Sequence, residues 1–250
     1  HITPGIIICL GSLGDVYSEQ RQYSTAEAYY MKSLKFIHDF HGERAALPSA
    51  AYTLNSLAIN YKCMEQYDKA EDYFLKAMHM YRKISPGADS VDIADTLYNI
   101  ATNYKFMERY YKAENYYHQA LSMYRQISLG ADSGDIFKTL NSLANNYNAM
   151  KQNNKAEDYY LKALSAFRNI SQSAVSADIA KTLNNLAVHY THMEDYHKAE
   201  MYYLRALSRY RKISQGRYSV DIAKTLYYRG HNYSSAGNER RAREVCRQAL

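Results

Sequence analysis

The chain has 250 residues, of which 47% are hydrophobic, and this apolar content can supply a sizeable core and excludes a disordered chain. With only 3 prolines and 10 glycines it has too few turn residues for an all-β domain, so helices are expected. No apolar run approaches the ~18–20 residues that a membrane-spanning helix needs, which predicts no membrane association. The net charge of +6 is spread without blocks, so it favours acidic partners mildly. Because the chain starts at His1 without an initiator methionine, we expect a fragment of a larger protein.

A sequence repeat of 43 residues runs along the chain and accounts for its 28 tyrosines. The segment Ser-x-Asp-Ile starts at Ser90, Ser133, Ser176 and Ser219, and a Thr-Leu pair follows each copy. A diverged copy begins near Thr3. The register predicts six units in one domain, at residues 3–46, 47–89, 90–132, 133–175, 176–218 and 219–250.

Each unit has the pattern of two helices. In the unit from Ser90, which is a good N-cap, Leu97, Ile100, Ala101 and Tyr104 form one apolar stripe at helical spacing. A short break at 106–109 follows, and Gly130 is expected to stop the second helix. The second stripe comprises Ala113, Tyr116, Tyr117, Ala120, Leu121, Tyr124 and Ile127. Since one unit cannot bury both stripes alone, we predict an all-α, right-handed α-solenoid of about six helix-turn-helix units.

Two stretches carry a family resemblance. Leu54, Leu57, Ala58 and Tyr61, followed by Tyr67, Ala70, Phe74 and Ala77, resemble the tetratricopeptide repeat (TPR). The long period and the lengthened second helix are similar to the repeats of kinesin light chains. Two departures stand out, since Arg229 replaces a core leucine and residues 150–153 lack the usual turn tyrosine. The resemblance implies a protein-interaction fold whose first helices line a peptide-binding groove.

Motifs for catalysis, cofactors or metals are missing from the sequence. Cys9, Cys63 and Cys246 lack Cys-x-x-Cys spacing, so we expect reduced thiols and a cytoplasmic protein. His189 and His192 lie three residues apart without a third ligand, and we interpret them as surface or groove histidines. No glycine-rich phosphate loop or nucleophile elbow occurs. Paired acids such as those at 71–72 and 157–158 are interpreted as a solvated helix face. We therefore predict no enzyme activity and no cofactor.

Candidate peptide-binding residues are those on the face of each first helix opposite the apolar stripe. Asparagine is frequent there, and its amide can donate to and accept from a peptide backbone. Lysine recurs there every 43 residues in three successive units and should form a ladder, unless duplication merely copied a solvated residue. The candidates are Asn55, Lys62, Tyr98, Lys105, Lys138, Asn141, Asn145, Asn148, Lys181, Asn184, Lys224, Tyr227 and His231.

Three functions compete on this sequence. The first is a protein-interaction scaffold whose groove binds a linear peptide, and the lysine ladder and the kinesin light chain resemblance both favour an acidic one. The second is a structural solenoid that associates with another copy of itself, because terminal repeats normally need a polar cap. Single-stranded nucleic acid is a weaker third partner, since most tyrosines fall on core stripes and the charge excess is modest for tracking phosphates.

Overall fold

The computed structural model describes residues 3–40, 47–84, 86–87, 89–167, 176–217 and 219–248. Twelve α-helices and no strands occur within these ranges, which confirms the all-α prediction. The chain divides into two compact units, an N-terminal unit of residues 1–130 and a C-terminal unit of residues 131–250. The prediction of one continuous domain stays a prediction. The predicted repeat ends at residues 46, 175 and 250 lie outside the described ranges.

The N-terminal unit consists of three helical hairpins in which each hairpin packs against the next. Consecutive helices pair as α1 with α2, α3 with α4 and α5 with α6. The bounds are α1 (Thr3–Glu19), α2 (Tyr23–Phe40), α3 (Leu47–Cys63), α4 (Tyr67–Ile84), α5 (Val91–Phe106) and α6 (Tyr110–Ile127).

The C-terminal unit repeats this arrangement, with α7 pairing with α8, α9 with α10 and α11 with α12. Its first helices α7, α9 and α11 are neighbours in succession. Helix α8 has 14 residues, whereas α10 has 18. The bounds are α7 (Gly134–Ala149), α8 (Asn153–Ala166), α9 (Ser176–His192), α10 (Tyr196–Ile213), α11 (Val220–Ser235) and α12 (Glu239–Arg247).

The Ser-x-Asp-Ile segments start the first helices. The Ser90 hydroxyl accepts the Asp92 amide N–H at 3.2 Å, and Ser219 accepts that of Ile222 at 3.3 Å. Such caps satisfy backbone donors that the first helical turn leaves unpaired. The following threonine is buried and donates its hydroxyl back along the helix, as Thr225 does to the Asp221 carbonyl at 2.7 Å. The recurrence of this segment is therefore explained by helix initiation.

The predicted core register is confirmed by burial. Ala101, Ala144 and Ala187 are 0% exposed, so neighbouring helices approach closely at these positions. Most of the second stripe is buried, but Tyr116 is half-buried and Ile127 is 37% exposed. The prediction that Ile127 belongs to the core is thus wrong. It is the last residue of α6 and follows the buried Tyr124 by three residues.

The turn inside each hairpin uses one residue in the left-handed region. Glu108, in the break predicted at 106–109, has a φ of 57°, and Lys151 also has a φ of 57°. Gly237 occupies the equivalent place in the last hairpin with a φ of 76°. In the turn that follows α6, Gly130 has a φ of 82° and its N–H donates to the Arg125 carbonyl, as expected of a helix stop.

Half-buried carboxylates link successive hairpins through tyrosine hydroxyls. Tyr104 donates to Glu71 at 2.5 Å in the N-terminal unit, and Tyr190 donates to Glu157 at 2.6 Å in the C-terminal unit. The interpretation of residues 71–72 and 157–158 as a solvated face is therefore right only for the second acid of each pair. Burial and the carboxylate together raise the pKa of both tyrosines, so they remain protonated donors.

Arg229 shows how one unit accommodates a charge at the core-leucine position. Its guanidinium donates to both oxygens of Glu200, with Nη2 at 2.5 Å from Oε1, and Tyr233 donates to the same carboxylate at 2.9 Å. The two charged side chains are 16% and 19% exposed. A bidentate pair of this kind satisfies both partners where an unpaired charge would be costly.

Candidate functional site: a polar groove in the C-terminal unit

The first helices α7, α9 and α11 line a groove with a volume of about 360 Å³, to which α8 and α10 each add a tyrosine. We call it the polar groove. Its lining combines amide, ammonium, carboxylate and hydroxyl groups around a single aliphatic side chain. The lining residues are Asn145, Asn148, Tyr160, Lys181, Asn184, Asn185, Val188, Tyr210, Asp221, Lys224, Thr225 and Tyr228.

Two of the predicted ladder lysines, Lys181 and Lys224, line the polar groove. Lys181 is exposed, and its ammonium lies 3.9 Å from Asp178 one turn earlier on the same helix. Lys138 makes the same contact with Asp135 at 3.9 Å but does not line the groove. Asp221 also lines the groove, so the charge of one lysine is offset there. The electrostatic preference of the groove for an acidic ligand is therefore modest.

Two asparagine amides of α7 are held by neighbouring side chains. Asn145 Oδ1 accepts the Tyr160 hydroxyl at 2.7 Å and the Asn185 amide at 3.3 Å. Asn148 Oδ1 lies 2.9 Å from His189 Nδ1. Within the described ranges, the buried Oδ1 atoms of Asn141 and Asn184 have no hydrogen-bond partner. Among the groove amides, Asn145 and Asn148 are therefore fixed by the protein, whereas Asn184 has its acceptor unpaired.

His189 is buried, with 1% of its surface exposed, so the prediction of a surface or groove histidine is wrong for this residue. Its ring packs against the rings of Tyr160 and Tyr190, with centroids 6.1 and 5.7 Å away. Burial lowers the pKa of its imidazole, with Glu157 opposing and His192 adding to that shift. The neutral ring is thus the favoured form. His192 is exposed, as expected.

The remaining candidates of the C-terminal unit lie at the margins of this site. Asn141 is half-buried, Tyr227 is 62% exposed and His231 is exposed, and none of the three lines the polar groove. Tyr227 packs edge-on against Tyr228, which does line it. The structure therefore brings together Asn145, Asn148, Lys181, Asn184 and Lys224 out of the predicted set.

The candidates of the N-terminal unit lie on α3 and α5 and are all half-buried. Asn55 Oδ1 lies 3.5 Å from the Thr96 hydroxyl, and Tyr98 packs edge-on against Tyr117 at 5.6 Å. Burial lowers the pKa of both Lys62 and Lys105. The two lysines occupy the same register position in successive repeats.

Sequence reasoning missed the groove residues that come from outside the chosen helix face. Tyr160 and Tyr210 belong to second helices, whose tyrosines were assigned to the core. The sequence could have predicted Asp221. An Asp precedes the ladder Lys by three residues in three successive repeats, and residues three apart on a helix share a face. No comparable signal marks Asn185 or Tyr228.

Other kinds of site find little support among the described residues. They contain no group of three His, Cys, Asp or Glu side chains placed to hold a metal ion. The cysteines Cys9, Cys63 and Cys246 are unpaired and exposed. Across the described part of the chain, every helix is too short or too polar to cross a bilayer.

Family models identify the class of protein that this fold defines. A tetratricopeptide repeat model matches residues 49–126, 92–169 and 178–250, and a second one matches residues 9–37. The chain therefore belongs to the tetratricopeptide repeat family, which confirms the predicted resemblance. No curated protein matches the sequence significantly.

Several solved structures are similar in fold. BtubC (BKLC) from P. vanneervenii is 23% identical with a TM-score of 0.73, over 89% of this chain and 87% of that one. A kinesin light chain-like protein from Podosopora anserina, with nearly identical TPR-like repeats, is 14% identical with a TM-score of 0.68, over 84% and 95%. These chains share the α-solenoid architecture of TPR proteins.

The quorum sensor NprR from B. thuringiensis shares the fold as well. Its apo form is 18% identical with a TM-score of 0.74, over 98% of this chain and 64% of that one. NprR has also been solved in complex with its cognate peptide NprX, and that structure matches with a TM-score of 0.66 at 18% identity, over 98% and 66%. At such identities the likeness concerns the fold alone.

Proposed function

We propose that this chain is a protein-interaction scaffold in which the polar groove binds a short, extended and acidic segment of a partner protein. The observation that carries the proposal is the groove itself, where Lys181 and Lys224 flank the amides of Asn145, Asn148 and Asn184. Amides can bond to a peptide backbone without reading its sequence, while the ammonium groups add a preference for carboxylates. NprR, a protein of similar fold, binds a peptide.

The spacing of the repeats determines how far apart the acidic side chains of the bound peptide should be. Neighbouring first helices pack on the order of 10 Å apart. An extended peptide advances about 3.3 Å per residue, so one repeat spans roughly three peptide residues. Lys181 and Lys224 lie in neighbouring repeats and would therefore meet acidic side chains about three residues apart. We further propose that the module acts without catalysis and in the cytoplasm.

The test is fluorescence anisotropy with labelled peptides of equal length in which every third residue is Glu, Gln or Lys. We expect the Glu peptide to bind most tightly, and its advantage over the Gln peptide should shrink as the Debye length falls from about 10 Å at 0.1 M salt to about 3 Å at 1 M. Lys181→Glu should weaken binding of the Glu peptide about fivefold, because exposed ion pairs contribute up to about 1 kcal/mol.

Lys151→Glu is the matched control, because it makes the same change of charge at an exposed residue in the α7–α8 turn. This variant should bind the Glu peptide with the affinity of the wild type, within experimental error. Equal binding of the three peptides, or an equal effect of the two variants, would reject the acidic preference. If none of the peptides binds while sedimentation shows a concentration-dependent dimer, self-association replaces peptide binding as the function.

A further inference from the structure

One register position carries an asparagine that ties successive hairpins together. In three repeats its side-chain amide donates to the backbone carbonyl of the first residue of the preceding second helix. These bonds run from Asn60 to Tyr23 at 3.0 Å, from Asn103 to Tyr67 at 2.9 Å, and from Asn232 to Tyr196 at 3.1 Å. His189 occupies the same register on α9, and the residue that would accept its bond is Asn153, at the place where the chain lacks the usual tyrosine.

In this repeat the side chain at that register position, His189, makes its hydrogen bond to a residue of the groove. His189 Nδ1 lies 2.9 Å from Asn148 Oδ1, and Asn148 lines the polar groove. In this orientation of the Asn148 amide the oxygen is the acceptor, which assigns the proton to Nδ1 and the Nδ1–H tautomer to the neutral ring. With its oxygen engaged by a buried ring, Asn148 has its amide N–H groups left for a ligand.

Asn145 is fixed in the same sense by other residues. Its Oδ1 accepts from the Tyr160 hydroxyl and from the Asn185 amide, which uses both lone pairs of the oxygen. Asn145 and Asn148 are three residues apart on α7 and therefore share one helix face. In both side chains the amide oxygen is therefore bonded within the protein, and the amide N–H groups are left to donate to a ligand in the groove.

We propose that His189 is a positioning residue that orients the amide of Asn148 in the polar groove, so that Asn148 presents N–H donors beside those of Asn145 and both select the main-chain carbonyls of an extended peptide. This inference rests on the proposed function and deepens it. Its contribution is independent of the ligand's charge, because neutral amides make the contacts. Variation at the lysines and variation at His189 should therefore have separable effects.

The first measurement is the tautomer of His189, read from ¹⁵N chemical shifts of the imidazole at neutral pH in the whole chain without ligand. We expect the Nδ1–H form, with the signal assigned by its loss in His189→Asn. An Nε2–H ring would have to accept from Asn148, so its amide oxygen would face the groove. That result overturns the proposal whether or not any peptide binds.

The second measurement is the affinity of His189→Asn for the Gln peptide. The introduced asparagine should turn its amide to the Asn153 carbonyl, as its counterparts do in other repeats, and release Asn148. We expect binding to weaken up to about tenfold, as for the loss of one well-placed hydrogen bond, while the thermal midpoint is kept or rises. His192→Asn, at an exposed histidine on the same helix, is the control and should bind as the wild type does.

Asn148→Asp adds a variant that keeps an oxygen for His189 but has no N–H to offer. It should weaken the Gln peptide at least as much as His189→Asn, and the losses in both variants should persist at 1 M salt, where the effect of Lys181→Glu has faded. Unchanged affinity in both variants overturns the positioning role even if the acidic preference holds. If the wild type binds no peptide, the proposed function fails and carbonyl selection fails with it.

Discussion

The two units of the chain share a scaffold but differ in what their first helices present. At one register position the N-terminal unit has Asp95, whose carboxylate accepts a hydrogen bond from the Tyr124 hydroxyl. The C-terminal unit has Lys181 and Lys224 at that position, both exposed. Since the same fold accepts either charge there, the lysines are not required for folding. That difference favours a functional reason for the ladder over simple copying by duplication.

At a second register position the lysines belong to the N-terminal unit and the neutral side chains to the C-terminal unit. Lys62 and Lys105 of the N-terminal unit are half-buried, whereas their counterparts in the C-terminal unit are Asn148, Thr191 and Ser234. Thr191 donates to Asn232 at 2.9 Å, and Asn148 is held by His189. The C-terminal unit thus replaces ammonium groups with neutral hydrogen-bonded side chains at this end of its first helices. Core alanines, in contrast, are fully buried in both units, at Ala101 and at Ala187.

The largest expected effect tests whether the scaffold is common to both units. Ala101→Leu in the N-terminal unit and Ala187→Leu in the C-terminal unit should each destabilise the protein by about 1–3 kcal/mol, because each adds a branched side chain where the alanine is 0% exposed. Urea unfolding measures the change. Lys151→Ala, at an exposed turn residue, should be near neutral. A large loss at one alanine and none at the other would show that the units pack differently.

A smaller effect is expected in the hairpin turns. Gly237→Ala should cost about 1 kcal/mol, because its φ of 76° is unfavourable for any residue with a Cβ. The added Cβ would meet no atom within 4 Å, so backbone strain alone accounts for the loss. Glu108→Gly and Lys151→Gly place glycine in the equivalent turns and should be neutral or slightly stabilising. Destabilisation by both glycines would contradict the strain argument.

The sequence was sufficient to predict the scaffold because its signals are local and repeated. The alanine register, the serine caps and the turn at 106–109 recur every 43 residues, and helical spacing converts them directly into faces. The site was less predictable. Asn145 and Lys181 were found from the helix face, but Tyr160 reaches the groove from a second helix, which only packing of the hairpins determines.

His189 was misassigned for the same reason. Its register places it among buried asparagines, yet the comparison with Asn60 and Asn103 requires knowing that this position ties hairpins together. Glu157 was likewise assigned to the surface because its tyrosine partner is 33 residues away in sequence. Long-range hydrogen bonds of this kind leave no periodic pattern of hydrophobicity.

The smallest expected effect is a dependence of stability on pH that arises from His189 in the C-terminal unit. Burial lowers the pKa of His189 below its ordinary 6.5, so the unfolded chain binds a proton more readily than the folded one. Stability should therefore be intact above about pH 7 and decline as the pH falls through 6.5 toward 5. Carboxylates in general titrate mainly below that window.

His189→Asn should flatten this decline, because it places in α9 the same neutral residue that the N-terminal unit has in α3 and α5. Thermal midpoints of the two proteins measured from pH 7.5 to 5 test it, since a titration specific to His189 predicts curves that diverge only on the acidic side. His192→Asn should keep most of the decline, because the burial of His189 is the largest cause of its lowered pKa and this exchange at an exposed residue leaves that burial unchanged. Parallel curves for the wild type and His189→Asn would contradict this prediction. They would mean that the buried His189 ring, in contact with Asn148, can be protonated in the folded protein without loss of stability.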